Sequence, residues 1–379
     1  MPRNDSKPSV VIDESGLERL IDGLHRSGYE VIGPTVRDGS IVYDSIQSTR
    51  DLPRDWTDIQ KPGSYRLERR TDKAFFGYNV GPHTWKQFLF PPRERVWQLT
   101  IKGDRFERTD STPQERPLAF LGVRACELAA ITIQDKVFIG GDIRDEGYAS
   151  RRESAVFIAV NCGQAGGTCF CDSMGAGPRA DEGFDLAMTE LMDDGRHAFM
   201  VEIGSKRGEA LIADVPSQSA DDHDHAMVDE AEETARGQMG RSMQAQGLPE
   251  LIGRNLEHPV WDEIAQRCLA CANCTMVCPT CFCHSLEDTS DLSGEIAERW
   301  RRWDSCFNGD FSYIHGGRVR ASTASRYRQW MSHKLSTWHD QFGTSGCVGC
   351  GRCITWCPVG IDITAEAQAI RDRDGETSA

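Results

Sequence analysis

Cys268-Leu269-Ala270-Cys271-Ala272-Asn273-Cys274-Thr275-Met276-Val277-Cys278-Pro279 decides the reading of this chain. The pattern returns as Cys347-Val348-Gly349-Cys350-Gly351-Arg352-Cys353-Ile354-Thr355-Trp356-Cys357-Pro358. Each stretch is C-x2-C-x2-C-x3-C-P, a run whose thiolates ligate cubane [4Fe–4S] clusters. Three closely spaced thiolates hold three irons of one cube, and the fourth, followed by proline, crosses to the other. Cys268, Cys271, Cys274 and Cys357 are thus assigned to one cluster. Cys347, Cys350, Cys353 and Cys278 are assigned to the second. Zinc ribbons use two C-x-x-C pairs rather than four-cysteine runs ending in Cys-Pro. A chain built around two such runs is expected to move single electrons.

Composition agrees with that expectation. The 379 residues suffice for two domains, and 27% charged with 39% hydrophobic residues is an ordinary soluble balance. Ala155 to Val160 is among the longest apolar runs, far below a membrane span. Met1 to Lys7 carries neither an apolar signal region nor a twin-arginine pair. Fifteen cysteines without an export signal point to a reducing, cytoplasmic setting in which thiolates bind metal rather than pair. The net charge of −15 argues against nucleic acid as a partner. Between Asp181 and Ala235 stand 16 acidic and three basic residues, so about −13 sits in that stretch. It reads as a solvated, mobile surface segment, with His223 and His225 exposed on it rather than binding metal.

The fold is expected to be an α+β or α/β N-terminal domain with a mixed sheet over 1–215. An acidic linker follows over 216–252, then an α-helical ferredoxin-like domain with two [4Fe–4S] clusters over 253–379. Ser15 and Glu18 read as a capping box opening a helix whose Leu17, Leu20, Ile21 and Leu24 share one face. Tyr29 to Val36 and Ile41 to Ile46 read as strands around Asp38-Gly39. Leu118 to Val123 and Ala155 to Val160 are continuous apolar runs, typical of strands buried on both faces. The helical segment Glu127 to Asp135 between them implies parallel pairing. Ala198 to Ile203 and Ala210 to Val215 read as further strands, and Met227 to Met243 as helical.

Parallel neighbours end on the same sheet edge, where α/β folds carry their sites. Cys126 and Cys162 follow the two apolar runs and so meet at that edge. Gly166-Gly167-Thr168-Cys169-Phe170-Cys171 lies just beyond, its glycines free to turn the chain back. Cys126, Cys162, Cys169 and Cys171 therefore form a four-thiolate set, read as a third iron–sulfur cluster, with zinc as the competing metal.

The insert between the two runs is expected to be largely helical. Thr289 to Asp291 would cap Leu292 to Trp303, and Ser322 to Trp338 would form a second helix. From Arg299 to Lys334 there are eight basic residues and two aspartates, interleaved with aromatics. Cations packed against a cluster stabilise its reduced state. Cys281, Cys283, His284 and Cys306 stay open: a further metal site, S–H donors to a cluster, and core filling all fit them. Among familiar nucleotide, flavin and hydrolase motifs, neither G-x-G-x-x-G after a strand, a P-loop, G-x-S-x-G nor H-E-x-x-H occurs.

Several motifs stand in a telling order. They are Trp85-Lys86-Gln87-Phe88-Leu89-Phe90-Pro91-Pro92, Gly122-Val123-Arg124-Ala125-Cys126-Glu127-Leu128, the Gly166 to Cys171 loop, Cys278-Pro279-Thr280-Cys281-Phe282-Cys283, Trp303-Asp304-Ser305-Cys306, and Gly349-Cys350-Gly351-Arg352-Cys353. The chain, from about Gly63 to Asp362, resembles the iron–sulfur beta subunit of cytoplasmic NAD(P)-linked [NiFe] hydrogenases, or sulfhydrogenases. It is also similar to the corresponding iron–sulfur chain of anaerobic sulfite reductase. The resemblance implies a non-catalytic wire. It would run between the hydrogenase small subunit, which serves the large subunit, and an FAD/NAD(P)-binding flavoprotein subunit. In the sulfite reductases the wire leads to a sirohaem subunit instead. A cluster-based redox-sensing or structural protein is the reading from another class.

Overall fold

The computed structural model describes residues 7–79, 81–110, 116–193 and 195–375. The stretch read for an export signal lies outside them but for Lys7. The two apolar runs become β8 (Leu118–Val123) and β9 (Val156–Val160), both wholly buried and paired in parallel. They form the centre of an eight-stranded mixed sheet. β2 (Glu30–Arg37) and β3 (Ser40–Ser45) extend it on one side, and β10 (Leu186–Asp193), β11 (Arg196–Ile203), β1 (Ser9–Asp13) and β12 (Gln218–Ser219) on the other. Alternate residues serve opposite faces. Leu121, Ile158 and Val160 pack under α1 (Glu14–Arg26), while Phe120, Phe157 and Ala159 pack with Leu128, Ile131 and Phe138 of α3 (Ala125–Phe138).

Four local expectations are corrected. The cap of α1 is Asp13, accepting from the Gly16 amide at 2.8 Å; Glu18 instead reaches Thr49. Ala210 to Val215 is not a strand: α5 (Lys206–Ile212) starts at the Ser205 cap and covers the first part of it. The acidic segment 216–252 is not a loose linker. It carries α6 (Asp222–Gln238), whose Val228 is buried with Val11, Leu191, Ala198 and Met200 of the sheet. Its His223 faces Asp193 at 2.8 Å.

The fourth correction matters most for the architecture. Leu292 to Trp303 is not helical; it contains β14 (Ile296–Trp303), hairpinned to β13 (His284–Ser290). β14 pairs in turn with β6 (Arg93–Lys102), and β6 with β7 (Arg105–Asp110), giving a four-stranded antiparallel sheet. Asp291 fixes the turn by accepting from the Ile296 amide, and Gly294 adopts positive φ. Arg299 pairs with Asp288 and Arg302 with Glu287 across the strands. The insert thus closes a sheet with strands from the N-terminal half.

Smaller elements complete the frame: the β4 (Trp56–Lys61) and β5 (Ser64–Arg69) hairpin, α2 (Lys86–Leu89) and α4 (Glu146–Ser154). The cysteine runs lie among α7 (Leu248–Arg254), α8 (Val260–Arg267), α9 (Asn273–Met276), α10 (Thr323–Ser332), α11 (Trp338–Phe342), α12 (Arg352–Thr355) and α13 (Ile363–Asp372). A π turn, His333–Thr337, links α10 to α11, so the expected helix from Ser322 is present but interrupted. Trp261, Ile264, Tyr327, Trp330, Leu335 and Ile354 build the core around the runs. No helix among the described residues is long and apolar enough to cross a membrane.

Candidate iron–sulfur site

The first run wraps an open cavity. Cys268, Cys271, Cys274 and Cys357 all line it, with Phe307, Tyr327 and Trp330 behind them. Cys271 is exposed. Backbone amides already point at sulfur: Ala270 N lies 3.4 Å from Cys268 Sγ and Ile361 N lies 3.3 Å from Cys357 Sγ. Burial is the main force pushing the Cys274 thiol up, and Cys268, Cys357 and Cys271 add to it. The fold thus brings the distant Cys357, with Cys353, beside the first three.

The second run is enclosed. Burial pushes the Cys347 thiol up to about 12, against the pull of the Lys334 ammonium. Cys353 is pushed well up by burial, then by Cys347, Cys350 and Cys278. Lys334, on the π turn, donates to Cys278 Sγ at 3.3 Å, to Thr280 Oγ1 at 2.9 Å and to the Gly346 carbonyl at 2.8 Å. The Cys281 thiol first, then Lys334, hold Cys278 well below the usual thiol range. Lys334 is only 3% exposed. Burial works against its charge, yet Cys278, Cys281 and Cys347 keep the ammonium well above the ordinary lysine range. Lysine here meets sulfur where a buried charge ordinarily meets a carboxylate.

Among the N-terminal four, Cys171 neighbours each of Cys126, Cys162 and Cys169. Cys126 sits in the first turn of α3, Cys162 just past β9, and Cys169 and Cys171 on the returning loop. Burial raises each of these thiols. The next causes are Cys171 and Cys350 for Cys126, and Cys169, Cys162 and Cys350 for Cys171. Cys350 of the second run is therefore their neighbour. The loop is fastened to that run through Phe170 N to Gly349 O at 2.8 Å and Thr168 Oγ1 to Thr355 Oγ1 at 2.7 Å. Buried Arg124 stands beside Cys162, donating to the carbonyls of Tyr78, Phe76, Asn161 and Val160.

Sequence reasoning missed the groups that join these parts. Glu127 and Arg352, each with a side chain 1% exposed, form an ion pair between the start of α3 and the second run. Glu127 also accepts from Tyr43 Oη and Trp85 Nε1, both at 2.8 Å. The signal was present: Glu127 and Arg352 lie inside two of the motifs quoted above. Lys86 also lies inside a quoted motif, while Lys334 carried no signal beyond the net basic charge of the insert around it.

Among the described residues, no three His, Cys, Asp or Glu side chains converge closely enough to hold a metal ion as they stand. The donor chemistry nevertheless fits clusters: all-sulfur sets, amides aimed at sulfur, and the buried Lys334 ammonium donating to a cysteine sulfur. Residues 267–361 match the family model described as a 4Fe-4S dicluster domain. "Sulfhydrogenase 2 subunit beta" of Pyrococcus furiosus is 29% identical over 328 residues, spanning 85% of this chain and 94% of that relative. This chain is similar to a sulfhydrogenase beta subunit. The family resemblance carried by the motifs is thereby shown, and the dicluster domain makes the chain an iron–sulfur protein. Among solved structures, a Sphingomonas wittichii serine palmitoyltransferase is 13% identical and covers 59% of this chain and 57% of its own, with a TM-score of 0.17. So low a score carries no argument.

Proposed function

We propose that this iron–sulfur electron-transfer subunit belongs to a cytoplasmic, multi-subunit NAD(P)-linked [NiFe] hydrogenase. It carries electrons between the hydrogenase small subunit, which serves the large subunit, and an FAD/NAD(P)-binding flavoprotein subunit. One observation carries the reading: cysteines of the second run neighbour both the first run and the N-terminal cysteines. Cys353 lines the cavity of Cys268, Cys271, Cys274 and Cys357, while Cys350 neighbours Cys126 and Cys171. When bound, a [4Fe–4S] cluster supplies a one-electron centre. Cys268, Cys271, Cys274 and Cys357 would hold one, and Cys347, Cys350, Cys353 and Cys278 the other. Cys126, Cys162, Cys169 and Cys171 would hold a third. Iron is favoured over zinc there because the set adjoins the second run, and zinc has no redox chemistry to extend the path.

The residues' own part is to set the ends and the middle of this path. The first set opens to the surface through Cys271, where a partner can approach. Lys334 and Arg352 place fixed positive charge on the middle set, offsetting part of the negative charge that four thiolates bring. Residues 253–379 would carry the two ferredoxin-type sets and residues 1–215 would dock partners.

Anaerobic purification of the tagged full chain from its host, with mass spectrometry and metal analysis, tests this. Nickel with hydrogenase large and small subunits is expected. Sirohaem without nickel would move the chain to anaerobic sulfite reduction, and a chain with no flavoprotein partner would sink the wire. Iron remaining after the partners' clusters are subtracted counts the sites: about twelve per chain for three clusters, about eight for two.

A further inference from the structure

β8 and β9 run in parallel and end at the same sheet edge, and each leads into a cysteine of the N-terminal set. Val123 is followed by Arg124, Ala125 and Cys126; Val160 is followed by Asn161 and Cys162. Arg124 stands at that edge as the N-cap of α3 and is only 2% exposed.

Its guanidinium is not satisfied by what surrounds it. Nη1 donates to Val160 O at 3.5 Å and Asn161 O at 3.3 Å. Nη2 donates to Phe76 O at 3.0 Å and Tyr78 O at 2.9 Å. These carbonyls occupy both Nη groups. The Nε–H is buried and has no acceptor among the described residues. A buried N–H without a partner is rare in native proteins. Carbonyls also solvate a charge without neutralising it, and a buried cation ordinarily meets an anion. Arg352, at the second run, shows the ordinary arrangement, its Nη2 meeting the Glu127 carboxylate. Glu127 serves Arg124 differently, accepting from the backbone amide at 3.2 Å. Arg124 is therefore short of one acceptor and of a counter-ion, and two of its carbonyl partners lead straight into Cys162.

We propose that Arg124 is the built-in hydrogen-bond donor and counter-charge of a cluster held by Cys126, Cys162, Cys169 and Cys171, its Nε–H meeting a sulfur there. The inference rests on reading that set as a third iron–sulfur cluster. Three facts fit. The Cys162 thiol is pushed up by burial first, and Arg124 is the group that pulls it back. Arginine stays protonated however dry its surroundings, so the charge persists whatever the state of the cluster. Cys126 lies in the first turn of α3, so the positive end of that helix adds to the same field. Fixed positive charge and an N–H on sulfur favour the reduced state. Arg124 is thus a positioning residue that holds the potential of this centre up, as Lys334 does for the second run.

The test uses the full chain, purified anaerobically with its clusters. Cys169→Ala identifies the third centre as the EPR signal that it abolishes. Arg124→Met should shift the reduction equilibrium of that signal by at least about tenfold, a midpoint more negative by about 59 mV. The other two signals should stay in place, and iron should stay at about twelve per chain. Arg124→Lys keeps a charge but gives up the planar fork, and should shift the midpoint less. A measurement on the unsubstituted chain decides should Arg124→Met lose its cluster or fail to fold. With heavy nitrogen placed at arginine Nε, pulsed EPR should show its coupling on the third signal. An unmoved third signal, an equal shift of all three, or no nitrogen coupling would overturn the proposal. An unsubstituted chain with about eight irons and two signals would instead overturn the third-cluster reading, and this inference with it.

Discussion

The two cysteine runs share every spacing yet live in different surroundings. Both take a left-handed backbone at matching places: Ala270 and Ala272 in the first run, Gly349 and Gly351 in the second. An L-residue there costs roughly 1–2 kcal/mol. The first run bears that cost beside an open cavity. The second cannot, because a Cβ on Gly349 would lie 2.5 Å from Phe170 O, and one on Gly351 2.5 Å from Thr168 O. The wrap around sulfur is thus common to both, while the residues between the cysteines record what packs on each. The open run has aromatic walls and exposed Cys271; the closed run has Lys334, Arg352 and the loop of the third set.

The largest expected effect falls on the closed run. Gly351→Ala adds left-handed strain to a backbone clash and should cost about 2–5 kcal/mol, read as a lower anaerobic unfolding midpoint. Ala272→Gly, in the open run, should change stability by less than about 1 kcal/mol. Equal losses at both positions would erase the distinction.

Lys334→Met should come next. It removes the donor to Cys278 Sγ, so the centre held by the closed run should become harder to reduce. Potentiometric EPR should show one signal moving negative by tens of millivolts, about 59 mV per tenfold change in a one-electron equilibrium. The signal of the open run should stay in place; movement of both would mean that the two environments are not separate.

A milder contrast is kinetic. An anaerobic iron chelator should strip the open run first, because Cys271 is exposed. EPR during the time course should show one cluster signal fading before the others, and simultaneous loss would contradict the difference in enclosure.

The smallest effect lies away from both runs and serves as a control. His197 bonds Glu190 at 2.7 Å and faces Glu14 at 3.1 Å, and the Glu190 bond is the main cause raising its pKa. A raised histidine stabilises fully below its unfolded value near about 6.5 and loses that contribution as pH climbs through the folded value. His197→Asn should therefore cost about 1 kcal/mol or less near about pH 6 and still less near about pH 9, by urea unfolding. Cluster signals should not change.

Much of this was legible in the residues alone. Buried parallel strands show themselves as continuous apolar runs, so β8, β9 and their shared edge, which Cys126 and Cys162 follow, were legible directly. Leu292 to Trp303 was misread because one of its two strand partners, β6, lies some two hundred residues away, and no local pattern announces such a pairing. The acidic segment was misread because charge dominates its composition, while Val228 and a few neighbours decide its packing.

The sequence by itself determined the chemistry, since thiolate spacing is a local property and metal ligation depends on it. It determined the parallel core for the same reason: a strand buried on both faces has to be apolar throughout. Only the tertiary structure decided that Cys353 borders the first set and Cys350 neighbours Cys126 and Cys171, that Lys334 is buried against the Cys278 sulfur, and that Glu127 meets Arg352. Those facts rest on contacts between segments far apart in the chain, where the strength of a charge depends on what excludes water from it.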